Sequence, residues 1–360
     1  MPTLSDTLAR LKAARTAPVG RAPGPDRLSD LPGWRGSARL RARMFVPAAL
    51  PDRAPLVVVL HGCKQDAAGY DAGAGWSTLA ERHGFALLFP EQQTANNPNR
   101  CFNWFDPANA ARGRGEAAAI AEMVGLMVDR YGLDPAQVFI GGLSAGGAMT
   151  AVMLATYPEL FAGGAIIAGL PFGTARTVPQ AFDRMRGQGG PRGDALATLV
   201  RDASDHRGPW PRLSIWHGDA DRTVSDANVD ILLDQWRPLH GAGDAPDHVG
   251  TIDGHRRRVW RDAAGRDAIE VIDIAGLGHG TPLGTGGEDG LGAAGPFMLE
   301  AGISSTRHIA AFWGLAEGAP TASPRPNRAP APAPQASPAA PQDPIGRIID
   351  DALRSAGLLR

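Results

Sequence analysis

Residues 138–149 read VFIGGLSAGGAM: an apolar run that stops at a glycine pair, then a lone serine among small residues. The chain continues as AMTAVMLATY, a helix-forming run. A strand, the turn Gly142-Leu143-Ser144-Ala145-Gly146 and a helix make the context of a nucleophile elbow. So tight a turn brings strand and helix close, leaves no room for side chains beside the serine and pushes its hydroxyl outward. The five-residue pattern alone is common, however. A Gly-rich strand-to-helix turn in which Ser144 caps backbone groups reads the same way, so the rest of the chain must supply partners.

Working outward, short aliphatic runs recur at 56–60 (LVVVL), 85–89 (FALLF), 138–140, 164–168 (GAIIA), 213–216 (LSIW) and 269–274 (IEVIDI). Near-continuous apolar runs of this length suit strands covered on both faces. Longer segments of helical period separate them. Residues 115–131 place Ile120, Met123, Val124, Met127 and Tyr131 on one face and stop at Gly132. The pattern is that of an α/β domain, a doubly wound and mostly parallel sheet with helices on both faces. Residues 39–45 (RLRARMF) alternate better and read as an antiparallel edge strand.

This catalytic domain is expected over 34–318. Before it, residues 1–33 read as a short helix with Leu4, Leu8 and Leu11 on one side, then a Pro/Gly-rich connector. Residues 319–342 are dominated by Pro, Ala and Ser and form a linker. Residues 343–360 open on Asp343-Pro344 and place Ile345, Ile348, Ile349, Ala352, Leu353 and Ala356 at helical spacing, an amphipathic helix. That helix either docks on its own domain, pairs with another copy, or attaches to a hydrophobic partner or granule.

The chain has 360 residues and a formal net charge of -1, which points to neither a nucleic-acid binder nor a basic membrane-surface protein. It has no apolar run long enough for a spanning helix. Without a signal-peptide pattern the expected location is cytoplasmic. Two cysteines, Cys63 and Cys101, are too few for a disulfide scaffold or a four-cysteine zinc site. Neither lysine, Lys12 or Lys64, lies in a phosphate-loop pattern, and the Gly-rich stretch 284–295 does not lead a strand into a helix. No metal site and no cofactor are expected.

A serine hydroxyl is a weak nucleophile at neutral pH and needs a base, normally a histidine held by a carboxylate. In a doubly wound hydrolase these follow the serine in the order acid, histidine, each just past a strand. After LSIWHG comes DADRTV, with Asp221 favoured as the acid over Asp219, which is placed to shape the turn, and the more distant Asp226. After EVIDIAGLG comes His279. His83, His206, His240, His248 and His255 sit in polar segments, and His217 precedes a turn glycine. An oxyanion needs N–H donors as well. The loop after LVVVLHGC presents the backbone N–H of Cys63, and the residue after the serine presents that of Ala145. The side chain of His61 reads equally as a satisfied histidine at a strand exit.

With these residues in place the chain resembles the esterase/polyhydroxybutyrate depolymerase family of α/β-hydrolases. The resemblance runs over residues 56–314, through LHGC, the Gly75-Trp76 pair, RHGFALLFPEQ, NPNRCFNWF, GLSAGGAM, SIWHGDAD, GLGHGTPL and AGPFMLEAGISST. It implies a serine carboxylesterase acting on short-chain hydroxyalkanoate esters, with Ser144, Asp221 and His279 as the triad. It also suggests a Cys63–Cys101 disulfide, against the alternative of two separate buried thiols, and an extracellular location against the cytoplasmic expectation. Secreted polymer-degrading members tend to carry a separate polymer-binding domain, whereas this sequence shows a linker and one helix, which weakens the case for crystalline polymer hydrolysis and leaves small soluble esters, oligomers and intracellular granules open, with polyhydroxyalkanoate polymer a further partner. Feruloyl and acetylxylan esterases share the motif set, and a granule-binding protein with incidental esterase activity is the reading from another class. Trp104, Phe102 and Trp76 are candidates for lining the substrate pocket, against the common role of such residues as core.

Overall fold

The structure is a computed structural model that describes residues 26–287 and 290–316. The helix expected around residues 4–11, the linker over 319–342 and the helix over 343–360 lie outside the described residues.

The strands are β1 (Ser29–Asp30), β2 (Arg41–Phe45), β3 (Leu56–Leu60), β4 (Ala86–Glu91), β5 (Val138–Leu143), β6 (Gly163–Ile167), β7 (Arg212–Gly218), β8 (His248–Ile252), β9 (His255–Arg261) and β10 (Asp267–Ile274). They form one sheet in the order β1-β2-β4-β3-β5-β6-β7-β10-β9-β8. The middle of the sheet, from β4 to β10, is parallel, and antiparallel pairs close both ends. A small parallel pair, β11 (Thr281–Leu283) and β12 (Met298–Glu300), follows. The six apolar runs of the sequence are the six parallel strands.

The helices are α1 (Ala67–Ala74), α2 (Trp76–His83), α3 (Gly115–Tyr131), α4 (Ala145–Thr156), α5 (Val178–Met185), α6 (Asp194–Arg201), α7 (Ala227–His240) and α8 (Ser305–Trp313). Because strand side chains alternate, β3 sends Leu56, Val58 and Leu60 to one face and Val57 and Val59 to the other. The first face packs on α3, α4, α6 and α7. The second packs on α1, α2 and α8. Every β3 residue is therefore buried, which is why LVVVL does not alternate. Helix α3 has the expected bounds and ends on Gly132 at φ 60, whose N–H bonds to the Val128 carbonyl. Among the described residues no helix is long and apolar enough to cross a membrane.

Three features differ from the sequence reading. The strand expected at 39–45 is β2, but it is not the edge, since the two-residue β1 pairs beyond it. The packed unit also begins before Trp34, because Leu28 and Leu31 are buried in the two faces of the core. The β8–β9 hairpin was not expected. Its sequence HRRRVWR shows no apolar alternation. Strand β9 buries only Val259 and Trp260 and is tied to the neighbouring β10 by charge as well: Arg257 Nε lies 2.8 Å from Glu270 Oε2, and Arg258 Nη2 lies 2.9 Å from Asp273 Oδ1.

Candidate active site

Ser144 sits between β5 and α4 with φ 56 and ψ -117, a backbone state that costs a non-glycine residue energy and persists only where the surroundings impose it. The surroundings here are backbone. A Cβ on Gly142 would stand 2.6 Å from the Leu60 carbonyl oxygen, and one on Gly146 2.4 Å from the same oxygen. The small residues around the serine are thus required by the close approach of β3 to the turn. The elbow is pinned from the other side by a 2.8 Å bond from the Ser144 N–H to the Ile167 carbonyl of β6.

His279 follows β10 and Asp221 follows β7, neighbouring parallel strands, so both arrive at the carboxyl end of the sheet beside the serine. His279 Nε2 lies 2.9 Å from Ser144 Oγ, and its Nδ1 lies 2.7 Å from Asp221 Oδ2. All three side chains are buried. Asp221 Oδ1 accepts the Thr223 and Val224 N–H groups at 2.8 and 2.9 Å, so the carboxylate is held in one orientation. Burial alone would raise its pKa. The hydrogen bond and charge of His279, together with His217 and the Val224 N–H, outweigh burial and keep it below the ordinary carboxylate value.

Asp219 performs a different task. Its Oδ1 accepts the Gly276 N–H at 2.6 Å, and the Ala220 N–H donates to the Leu277 carbonyl at 3.1 Å. These bonds stitch the loop carrying the acid to the loop carrying the histidine. Asp226 stands at the start of α7 and lines a separate polar cleft of about 710 Å³ with Asp219 and His217. His217, which the sequence marked only as a residue before a glycine, is buried with Nε2 2.8 Å from the Val224 carbonyl. The same nitrogen is 3.5 Å from Asp221 Oδ2.

The loop after β3 is held by backbone N–H bonds on both sides of Cys63. The Gly62 N–H donates to Gln65 Oε1 at 2.9 Å, and the Lys64 N–H to the Asn99 carbonyl at 2.7 Å. Ala145, as the first residue of α4, has an N–H without an intrahelical acceptor. Cys63 and Cys101 are joined in a disulfide. His61 is a strut: its Nε2 accepts the Gln92 N–H at 3.1 Å, which puts the ring proton on Nδ1, facing the Gly62 carbonyl at 2.7 Å. Burial pushes its pKa down to about 4, so the ring is neutral. The segment carrying Cys101 is organised in turn by Glu116 of α3, a buried carboxylate the sequence did not reveal. It accepts from Gln92 Nε2 at 2.7 Å, Asn96 Nδ2 at 3.0 Å and the Asn103 N–H at 2.8 Å.

A family model described as Esterase PHB depolymerase matches residues 40–258. The chain belongs to that family. It is 43% identical over 272 residues to the poly(3-hydroxyalkanoate) depolymerase C of Paucimonas lemoignei, a similarity covering 75% of this chain and 66% of that protein. The chain thus spans slightly under two thirds of that relative's length. It is 28% identical over 255 residues to the feruloyl esterase B of Talaromyces stipitatus, covering 68% of this chain and 69% of that one. The solved acetyl xylan esterase from Aspergillus awamori superposes with a TM-score of 0.68 at 23% identity, over 80% of this chain and 99% of that one, and shows the same α/β-hydrolase fold.

In this PHB depolymerase family member the cavity at Ser144 is small, about 60 Å³. It is walled by Gly62, Cys63, Cys101, Leu143, Met185, Thr223, His279 and Phe297. None of the three aromatic residues expected at the substrate lines it. Trp76 opens α2 and stacks on Trp313, ring centroids 6.2 Å apart, inside the core of the second face. Phe102 is fully buried against the His61 ring at 5.2 Å. Trp104 lines a different cleft, about 670 Å³, with Phe105 and Phe172. The wall is supplied instead by Met185, from the insertion between β6 and β7, and by Phe297, from the turn before β12. Neither carries a composition signal that separates it from core.

Proposed function

We propose that the chain hydrolyses carboxylic esters through an acyl-enzyme on Ser144, with short-chain 3-hydroxyalkanoate-type esters and their oligomers as substrates. The observation that carries this reading is the continuous relay from Ser144 Oγ to His279 to Asp221, at 2.9 and 2.7 Å. His279 Nε2 takes the serine proton as Oγ attacks the ester carbonyl. Asp221 keeps the other ring proton on Nδ1 and stabilises the imidazolium that forms. The N–H groups of Cys63 and Ala145 receive the carbonyl oxygen as it becomes an oxyanion. The tetrahedral adduct collapses as His279 returns the proton to the leaving alcohol. A water, deprotonated by the same nitrogen, then releases the acid and restores Ser144.

The substrate class rests on two supports. The similarity to a poly(3-hydroxyalkanoate) depolymerase is higher than that to the feruloyl esterase quoted above. A cavity of about 60 Å³ also has room for only a few water-sized groups, which suits short aliphatic groups about the ester better than a rigid aromatic acid. An acetyl group fits equally well, so acetylxylan is the second substrate reading. The Cys63–Cys101 bond favours an oxidising compartment over the cytoplasm.

The test is Ser144→Ala assayed on p-nitrophenyl butyrate. The expected loss is at least about 10³-fold in kcat with an unchanged melting temperature. Near-normal turnover by the folded variant would overturn the assignment. A matched panel of 3-hydroxybutyrate oligomers, acetylated xylan and feruloyl esters then ranks the substrates.

A further inference from the structure

Phe297 has a backbone that asks for a glycine. The turn 295–298 is closed by reciprocal bonds, Gly295 N–H to the Met298 carbonyl and Met298 N–H to the Gly295 carbonyl, each 3.0 Å. Its two central residues are Pro296 and Phe297, and Phe297 takes φ 63. Proline first and a positive φ second is the combination of a type II turn, whose second central position is ordinarily Gly or Asn. A bulky aromatic there is an outlier, and such outliers cluster where function requires the side chain.

That side chain faces the catalytic cavity. The Phe297 ring meets the His279 ring edge-on, centroids 6.2 Å apart and planes at 82°, and it lines the cavity with Ser144 and Met185. Its backbone is fixed to the histidine loop, since the Phe297 carbonyl accepts the Thr281 N–H at 2.8 Å. The wall is therefore tied to the loop that carries His279.

We propose that Phe297 is the specificity wall for the leaving alcohol. The inference rests on the esterase reading above, in which His279 Nε2 hands its proton to the departing oxygen. That oxygen must lie at His279, and the first carbons attached to it then run along the apolar wall that meets the His279 ring, which is Phe297. The rest of the cavity lining, the Cys63 loop and Leu143, which packs beside Gly62, is then left to the acyl side.

The experiment compares wild type, Phe297→Gly and Phe297→Ala on two ester series. One holds butyrate constant and lengthens the alcohol from methyl to hexyl and benzyl; the other holds methanol constant and lengthens the acid from acetate to hexanoate. Both variants should raise kcat/KM for hexyl or benzyl butyrate relative to methyl butyrate by about tenfold or more, and leave the acid ranking within about threefold. Because glycine accepts the turn that alanine does not, Phe297→Gly should melt no lower than Phe297→Ala. An unchanged alcohol ranking, a change confined to the acid series, or a glycine variant that melts below the alanine one would each overturn the proposal. Ser144→Ala is run on the same esters. If it retains turnover, the esterase reading fails; if it is inactive while the Phe297 variants rank alcohols as wild type does, the specificity proposal alone fails.

Discussion

Asp219 and Asp221 stand two positions apart on one loop, and the bonds they make separate them. In Asp221→Asn the oxygen that accepts Thr223 and Val224 N–H can stay in place, which turns the new amide NH₂ toward His279. Nδ1 must then accept, the ring proton moves to Nε2, and the ring can no longer take a proton from Ser144. The expected result, by the proposed reaction, is a kcat lower by roughly 10³- to 10⁴-fold with KM little changed. Asp219→Asn keeps an oxygen for the Gly276 N–H and should stay within about threefold of wild type, whereas Asp219→Ala loosens the histidine loop and should cost about tenfold. Steady-state kinetics on p-nitrophenyl butyrate distinguishes these outcomes. From sequence both residues are aspartates just past a strand. That one touches the histidine and the other a backbone N–H depends on how two loops meet across neighbouring strands, which spacing does not encode. The same holds for Trp76, Phe102 and Phe297: an aromatic side chain is equally at home in core and cavity wall, and only the packing decides.

At the scale of elements, what was legible depended on where the free energy lies. The parallel strands and α3 are stabilised by apolar burial, and burial writes itself into the sequence as runs and periods. The β8–β9 hairpin lies at a half-exposed sheet end, where β9 buries only two adjacent residues and arginine–carboxylate pairs tie it to β10, and that leaves no apolar period. The loop at Cys101 is similar, since its order comes from Glu116 and its amide partners together with the bond to Cys63. That bond ties the loop presenting the Cys63 N–H to a separate segment braced on α3. A Cys63→Ser/Cys101→Ser variant should therefore lose about 2–4 kcal/mol of stability. Under the proposed reaction its kcat should fall by about 10- to 100-fold, because a displaced oxyanion donor costs rate even when its N–H is still present. Urea unfolding and turnover at saturating substrate check the two parts. A variant of wild-type kcat would mean that the loop holds its shape through the Lys64 and Gly62 bonds alone.

For the molecule as a whole, His61 links the carboxyl end of the sheet to acid stability. It lies at the exit of β3, within the sheet, with Nε2 accepting from the Gln92 N–H and Nδ1 donating to the Gly62 carbonyl. A second ring proton would set two donors against each other, and the buried ring resists it, with a pKa of about 4 against the ordinary 6.5. Between those values the unfolded chain binds a proton that the folded chain refuses. Stability therefore falls as pH drops from about 6.5 to about 4 and is insensitive to this group outside that window. The loss is on the order of 3 kcal/mol. Buried Glu116 and Glu270 act in the opposite sense: burial raises both carboxyls, so the folded state gains as they protonate on acidification. The wild-type curve sums these contributions, and a variant isolates one of them. His61→Gln removes the titration while leaving the carboxyls in place, so the difference between the two ΔG curves, from urea midpoints between pH 4 and 7.5, should grow in favour of wild type by about 3 kcal/mol across the window. A difference independent of pH would mean that the ring accepts its second proton in the folded state, contrary to the neutral strut that the Gln92 bond requires.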